Sequence, residues 1–231
     1  LQSTPEPVAA VYAFGIQRAG KPCIVHVADV GHWTSDVCVA TVEGNTITVV
    51  AAEGLCVGGR DFDAIITKRV LDHVQREFGS LPDITDDALF YLDLVRQVEQ
   101  AKISLSNRPE VSIPASWRGR HTVATISKAD FQRGAEPLVQ QIKDLSDRVI
   151  SSAGLSYQRI NYFLAIGGMM RSTIVSEPLA KHVGIRPRTD VDPDKASVYG
   201  AAVLCGELMR EQGLHAAMGT RILPTPLAVL R

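Results

Sequence analysis

The stretch Ala-Asp-Val-Gly-His-Trp-Thr-Ser-Asp-Val, residues 28–37, joins two apolar runs, 23–27 and 37–42, that are typical of β-strands. A turn that opens with Asp-x-Gly indicates a phosphate loop, because successive backbone N–H groups can form a nest for an anion. Such loops favour bare glycine, which leaves room for the ligand. Here His32 and Trp33 fill the centre. The stretch is therefore a phosphate loop, an impaired phosphate loop, or a simple hairpin with a half-buried Trp33.

Composition limits the class of protein. The chain has 231 residues, of which 45% are hydrophobic, and its formal net charge is −1. This length suits one large domain or two closely connected subdomains. A nearly neutral chain gives no bulk attraction for nucleic acid or an anionic membrane. No apolar run approaches the roughly 18 residues of a membrane span, so we expect a cytoplasmic protein with no membrane segment in this chain.

Periodicity predicts the first half of the chain. A third strand covers residues 46–51, which makes an antiparallel meander with the first two. A helix that ends at Gly79 follows Gly58-Gly59, with apolar residues every fourth position: Phe62, Ile66, Val70, Val74 and Phe78. A second helix follows Thr85 as its N-cap, and its buried face is predicted to contain Leu89, Leu92, Val95, Val98 and Leu105.

The second half reads as a hairpin, a long helix, a strand and two helices. Residues 110–113 and 122–126 form the hairpin, and Ser127 caps a helix that Pro137 kinks or restarts. Residues 162–166 are a continuous apolar run, as a buried strand should be. Asp192 is predicted to cap the last helix, with Pro193 at its first position.

Several short motifs occur in a fixed order: E-P-V-A-A at 6–10, D-V-G-H-W-T-S-D at 29–36, G-G-R-D-F-D at 58–63, E-Q-A-K-I-S-L-S at 99–106, G-G-M-M-R at 167–171 and D-K-A-S-V-Y-G-A-A at 194–202. Their order and spacing resemble the DnaK-type heat-shock chaperone family, a branch of the actin-like ATPase superfamily. The family forms read E-P-T-A-A, D-L-G-G-G-T-x-D, G-G-E-D-F-D, E-x-A-K-R-x-L-S, G-G-S-T-R and D-E-A-V-A-Y-G-A-A.

The resemblance covers lobe II of that family's nucleotide-binding domain. It implies an α/β fold, an actin-like ATPase (ribonuclease H-like) lobe with an inserted helix-hairpin subdomain. Residues 1–57 and 134–212 would form subdomain IIA, 58–133 the inserted subdomain IIB, and 213–231 a tail or linker. Lobe I would precede this chain and a C-terminal domain could follow, so the chain by itself is expected not to hydrolyse ATP, which needs both phosphate loops.

By resemblance, the catalytic residues are Glu6, Asp29 and Thr34. Asp29 and Asp36 would act indirectly in metal binding, by ordering water bound to Mg²⁺, since carboxylates suit hard cations. The alternative is that both aspartates cap the turn through Asx hydrogen bonds. For Glu6 the alternative is a solvated residue near a frayed terminus.

The resemblance also implies nucleotide-binding residues: Gly31, Gly59, Glu99, Lys102, Ser106, Gly167, Gly168, Arg171 and Asp194. Glu99, Lys102 and Ser106 share one helix face, because they are at positions i, i+3 and i+7. The resemblance implies that Glu99 and Lys102 hold the ribose hydroxyls and that Ser106 reaches the base. The alternative for Glu99 and Lys102 is an ordinary exposed ion pair. Asp194 could equally be a routine partner of a helix dipole.

Departures from the family pattern gather where the nucleotide would lie: His32, Trp33, Arg60, Ile103 and Met169. Ile103 replaces an arginine whose planar guanidinium stacks on adenine. We expect ATP or ADP with Mg²⁺ as the ligand, bound on the adenosine side by a cleft with a weakened phosphate loop. The alternative is an inactive pseudo-ATPase that binds a protein partner through subdomain IIB. A sugar or acyl kinase, a filament-forming actin relative, and a soluble α/β domain with no nucleotide role are the remaining interpretations.

Overall fold

The computed structural model describes residues 6–16, 20–81 and 87–211. In chain order the elements are α1 (Glu6–Ala13), β1 (Cys23–Val30), β2 (Ser35–Glu43), β3 (Thr46–Leu55), α2 (Gly59–Phe78), α3 (Ala88–Leu105), β4 (Glu110–Trp117), β5 (Arg120–Ser127), α4 (Lys128–Ser152), β6 (Tyr162–Ile166), α5 (Thr173–Val183) and α6 (Ala196–Glu211). None of the helices in these ranges is both long and apolar enough to cross a membrane.

The main sheet has the strand order β3-β2-β1-β6. β1 pairs antiparallel with β2 and parallel with β6, and β2 pairs antiparallel with β3. One face of the sheet belongs to an apolar cluster that also contains residues of α2, α4 and α5, and the other face packs against α1. Covering both faces explains why these strands read as continuous apolar runs in the sequence. The predicted mixed α/β class is confirmed.

β4 and β5 form a separate two-stranded antiparallel sheet. α2 connects it to the main core through one buried side, and Phe62, Ile66, Val70, Val74 and Phe78 are all buried as predicted. Gly79 ends α2 in the left-handed conformation, with φ of 73°, which glycine adopts at little cost. The order of elements therefore places a helix-hairpin unit between the third and fourth strands of the main sheet.

The buried side predicted for α3 is wrong over its first half. Leu89, Leu92 and Val95 are 80%, 68% and 61% exposed, and the buried residues there are Phe90 and Leu94. Val98 and Leu105 are buried as predicted. α3 has apolar residues at helical spacing on two sides, so periodicity could not identify which side meets the core. The helix is capped by Asp87, which accepts a bond from the N–H of Phe90 at 3.0 Å, whereas Thr85 lies outside the described residues.

Two predicted boundaries also differ. α4 continues through Pro137 as one helix instead of restarting there. Ala135 and Val139 are buried on either side of this proline, and their packing outweighs the backbone bond that it removes. α6 begins at Ala196 rather than at Pro193, because a turn comes first, in which the N–H of Lys195 donates to the carbonyl of Asp192 at 3.0 Å.

α1 and α6 approach each other closely at Gly200. A Cβ atom on Gly200 would lie 1.7 Å from the carbonyl oxygen of Ala9, which no real contact permits. α6 also contains Gly206, where an added Cβ would meet no atom within 4 Å. The first glycine is therefore required by packing and the second is not.

We predict opposite effects for the two alanine substitutions in α6. Gly200→Ala should lower the free energy of unfolding by about 2 kcal/mol or more, because the helices must separate. Gly206→Ala should raise it by up to about 1 kcal/mol, because alanine favours a helix over glycine. Urea denaturation followed by circular dichroism measures both. Equal effects of the two substitutions would contradict the tight crossing.

Candidate functional site

The β1–β2 loop is a tight turn without backbone strain. The N–H of Gly31 donates to the carbonyl of Thr34 at 2.9 Å and closes the loop. Among the described residues, Arg118 is the only non-glycine residue with a positive φ. A Cβ on Gly31 would make only an ordinary contact of 3.5 Å. His32 and Trp33 therefore fit this turn, and the loop does not need glycine for its conformation.

The loop is docked on the first turn of α2 by backbone hydrogen bonds. The N–H groups of Gly59 and Arg60 donate to the carbonyls of Gly31 and His32 at 2.9 and 3.0 Å. Gly58 makes this approach possible, since a Cβ there would lie 2.6 Å from the carbonyl carbon and oxygen of His32. N–H groups at a helix N-terminus commonly bind anions. Here these two N–H groups are instead hydrogen-bonded to the loop.

Trp33 points out of the site. Its side chain is 60% exposed, and the guanidinium of Arg60 lies 4.6 Å from the centre of its ring. This cation–π contact keeps both residues away from the cavity described below. The Trp33 ring therefore turns outward and does not line the cavity.

Three carboxylates lie close together at the end of β1. Asp29 and Asp36 are directly opposite in the β1–β2 register, and Glu6 begins α1 nearby. Burial raises the pKa of Asp29 to about 7, with smaller contributions from the charges of Glu6 and Asp36. Thr34 donates its hydroxyl to Asp36 at 2.9 Å. None of these four residues lines the cavity.

The described part of the chain contains no group of three or more His, Cys, Asp or Glu side chains that could hold a metal ion. Direct ligation by Asp29 and Asp36 therefore has no support in this geometry. Their indirect role, through ordered water, stays a proposal.

A cavity of about 570 Å³ lies beside the docked loop, and its size suits a small organic ligand. Most of the residues expected to bind nucleotide line it: Gly31, Gly59, Glu99, Lys102, Ser106, Gly168, Arg171 and Asp194. The remaining one, Gly167, lies just behind the wall and has φ of 85°. It has no room for a side chain, because an added Cβ would lie 2.4 Å from Asp29 Oδ1. Five separate segments of the chain thus meet around one space.

Lys102 is buried and does not pair with Glu99. Its ammonium contacts Asp63 Oδ2 at 2.8 Å and the carbonyl of Gly59 at 3.3 Å, and only 8% of its side chain is exposed. Glu99 is exposed along the same wall. The alternative of an ordinary exposed Glu99–Lys102 ion pair is therefore wrong.

The opposite wall is built around Arg171. Its guanidinium pairs with Asp194 at 2.7 Å and lies 3.8 Å from Asp192. Gly168 leaves space for this pair, since a Cβ would come within 2.9 Å of Asp194 Oδ1. Asp194 precedes α6, and its observed contact is the ion pair with Arg171. This contact is one that a partner of the helix dipole would not need.

The sequence did not single out three residues of the site. Asn107 and Ser172 line the cavity, and Ser172 accepts a bond from the hydroxyl of Ser106 at 3.3 Å. Asp63 lies behind Lys102. Asn107 and Ser172 each follow a residue that was identified, but only the folded chain shows that they face the cavity.

Comparison with known protein families supplies the last observation. The model of the family described as Hsp70 protein matches residues 4–221, which is nearly the whole chain.

We predict that Asp29→Asn makes the protein more stable than the wild type at alkaline pH. The folded-state pKa of about 7 lies above the ordinary 3.8, so the contribution of Asp29 to stability is complete below pH 3.8 and is lost as the pH rises through 7. The difference between variant and wild type in free energy of unfolding should grow by about 2 kcal/mol between pH 5 and pH 8. Denaturant titrations at both pH values measure it, and parallel pH curves would contradict it.

Proposed function

The chain belongs to the Hsp70 family, and from this premise we propose that it forms the adenosine side of an ATP cleft, as lobe II of a chaperone-type nucleotide-binding domain. The carrying observation is that Glu99, Lys102, Ser106 and Arg171 converge on one cavity of about 570 Å³. In this proposal residues 1–57 and 134–212 are subdomain IIA and 58–133 subdomain IIB, with 213–231 as tail or linker. In this proposal a further lobe closes the remaining side of the cleft.

The ligand in this proposal is ATP or ADP with Mg²⁺. Glu99 and Lys102 lie along one wall at positions suited to a ribose, and Ile103 and Arg171 are both exposed at the rim, where they can flank a base. The phosphates would extend toward Gly31 and His32, which line the same cavity. In this proposal Asp29 would orient water at that end from behind the wall, and its pKa of about 7 supports proton exchange near neutral pH.

The weakened phosphate loop is part of the proposal. Its support is that the N–H groups of Gly31, Gly59 and Arg60 are all bonded to backbone carbonyls of the protein. A phosphate nest needs such donors free and directed at the ligand. His32 offers a ring nitrogen instead, so phosphate binding would depend on a side chain more than on the backbone.

A second candidate is an inactive module that binds a protein partner through subdomain IIB. The observation that favours it is the exposed apolar side of α3, formed by Leu89, Leu92 and Val95. A contiguous exposed apolar surface is typical of an interaction site. The two candidates share the fold and differ in whether the cavity binds nucleotide.

We predict that Ile103→Arg tightens nucleotide binding. Ile103 is 56% exposed at the cavity, so an arginine fits and can stack on a base, which is worth about 1 kcal/mol or roughly fivefold in affinity. The measurement is calorimetric titration of ADP with Mg²⁺. Val95→Arg is the matched control, because Val95 is 61% exposed on the same side of α3 but outside the cavity.

The control should leave the affinity for ADP unchanged. An equal change in both variants would mean that the added charge acts from a distance and that no base lies at residue 103. Absence of binding by the wild type and by Ile103→Arg would overturn the nucleotide proposal and leave the second candidate.

A further inference from the structure

The ammonium of Lys102 is held at two points inside the wall of the cavity. It donates to Asp63 Oδ2 at 2.8 Å and to the carbonyl of Gly59 at 3.3 Å. A Cβ on Gly59 would lie 3.2 Å from this nitrogen, so the glycine leaves the space that the ammonium occupies. Asp63 on α2 and Lys102 on α3 thus form a link between two helices, 39 positions apart in the sequence.

The geometry leaves Lys102 one hydrogen-bond donor. A lysine ammonium has three N–H groups, and the two observed contacts account for two of them. Lys102 also lines the cavity, so the remaining N–H is the one available to a ligand. Its direction is fixed, unlike that of a lysine on the surface, because the other two bonds prevent free rotation.

The charge of this donor is already balanced. The Asp63 carboxylate is in direct contact, and both side chains are largely buried, at 8% and 18% exposed for Lys102 and Asp63. A neutralised ammonium attracts phosphate weakly, whereas its N–H still donates to a neutral oxygen. A hydroxyl is the group that matches one fixed donor without adding a charge.

The pair is poorly arranged for stability alone. Asp63 Oδ1 is buried and has no hydrogen-bond partner within the described part of the chain, and an unsatisfied buried acceptor costs free energy. A purely structural ion pair is expected to satisfy both carboxylate oxygens. The unsatisfied oxygen therefore favours a role for the carboxylate in holding Lys102 rather than in holding the fold.

We propose that Asp63 is a positioning residue, which fixes and neutralises Lys102 so that this wall of the cavity recognises a sugar hydroxyl and not a phosphate. The inference rests on the proposed function, since the sugar is that of the bound nucleotide. Asp63 acts through Lys102 and does not itself contact the ligand.

The test compares three ligands by calorimetry in the presence of Mg²⁺: ADP, 2′-deoxy-ADP and 3′-deoxy-ADP. The wild type should bind ADP about tenfold more tightly than the analogue that lacks the contacted hydroxyl, as expected for one charge-assisted hydrogen bond. Asp63→Asn should lower the affinity for ADP about tenfold and change the affinity for that analogue by less than twofold. The ratio of the two affinities should therefore fall to about one. Lys102→Met should also give a ratio of about one.

Asp72→Asn is the matched control on the same helix. Asp72 pairs with Lys68 at 2.9 Å on the exposed side of α2, so this change should alter neither affinity nor ratio. An equal loss of affinity for all three ligands in Asp63→Asn would show a merely structural role, and an unchanged ratio would also overturn the inference. Absence of binding by the wild type to all three ligands would instead overturn the proposed function.

A second measurement needs no ligand. Reductive methylation followed by peptide mass spectrometry reports how accessible each lysine amine is. Lys102 should react about tenfold more slowly than Lys68, whose side chain is 76% exposed, and Asp63→Asn should make Lys102 react several-fold faster. Equal rates for Lys102 and Lys68 in the wild type would overturn the inference that the Lys102 ammonium is held in place, whatever the nucleotide titrations show.

Discussion

The site depends on a contact between two pieces of backbone, at the point where the β1–β2 loop meets the first turn of α2. Two N–H groups of the helix bond to two carbonyls of the loop, and Gly58 has no space for a side chain there. This contact orients the loop so that His32 faces the cavity and Trp33 turns outward against Arg60. It also places Gly59, and through Gly59 the ammonium of Lys102, in the wall of the cavity.

The same contact shapes the chemistry of the cavity. It uses helix N–H groups that could otherwise bind an anion, while both cationic groups of the walls that motif comparison identified are balanced within the protein. Lys102 is paired with Asp63, and Arg171 with Asp194. A cavity with paired charges and several neutral polar groups suits a sugar and a base better than it suits phosphates. The function proposed for this chain follows from that balance, together with its membership of the Hsp70 family.

α3 connects the two candidate functions. One side of the helix packs on the core through Phe90, Leu94 and Leu105, while Glu99, Lys102 and Ser106 line the cavity. The first half of the cavity-side face carries Leu89, Leu92 and Val95, which are exposed. The exposed residues continue the face of α3 that lines the cavity, so a partner that covered them would lie next to the cavity.

The sequence by itself determined the order of the elements from β1 onward, the strands of the main sheet, the buried side of α2 and the family, because alternation, helical spacing and glycine turns are local signals. It also identified most of the residues that line the cavity, through motifs in a fixed order. The tertiary structure alone decided which side of α3 is buried, since both sides carry apolar residues at helical spacing. It decided that Pro137 lies within one helix, because packing on either side outweighs a lost hydrogen bond. It also decided that Lys102 pairs with Asp63 and not with Glu99, since an ion pair between two helices depends on how they pack and leaves no trace in the spacing of either one.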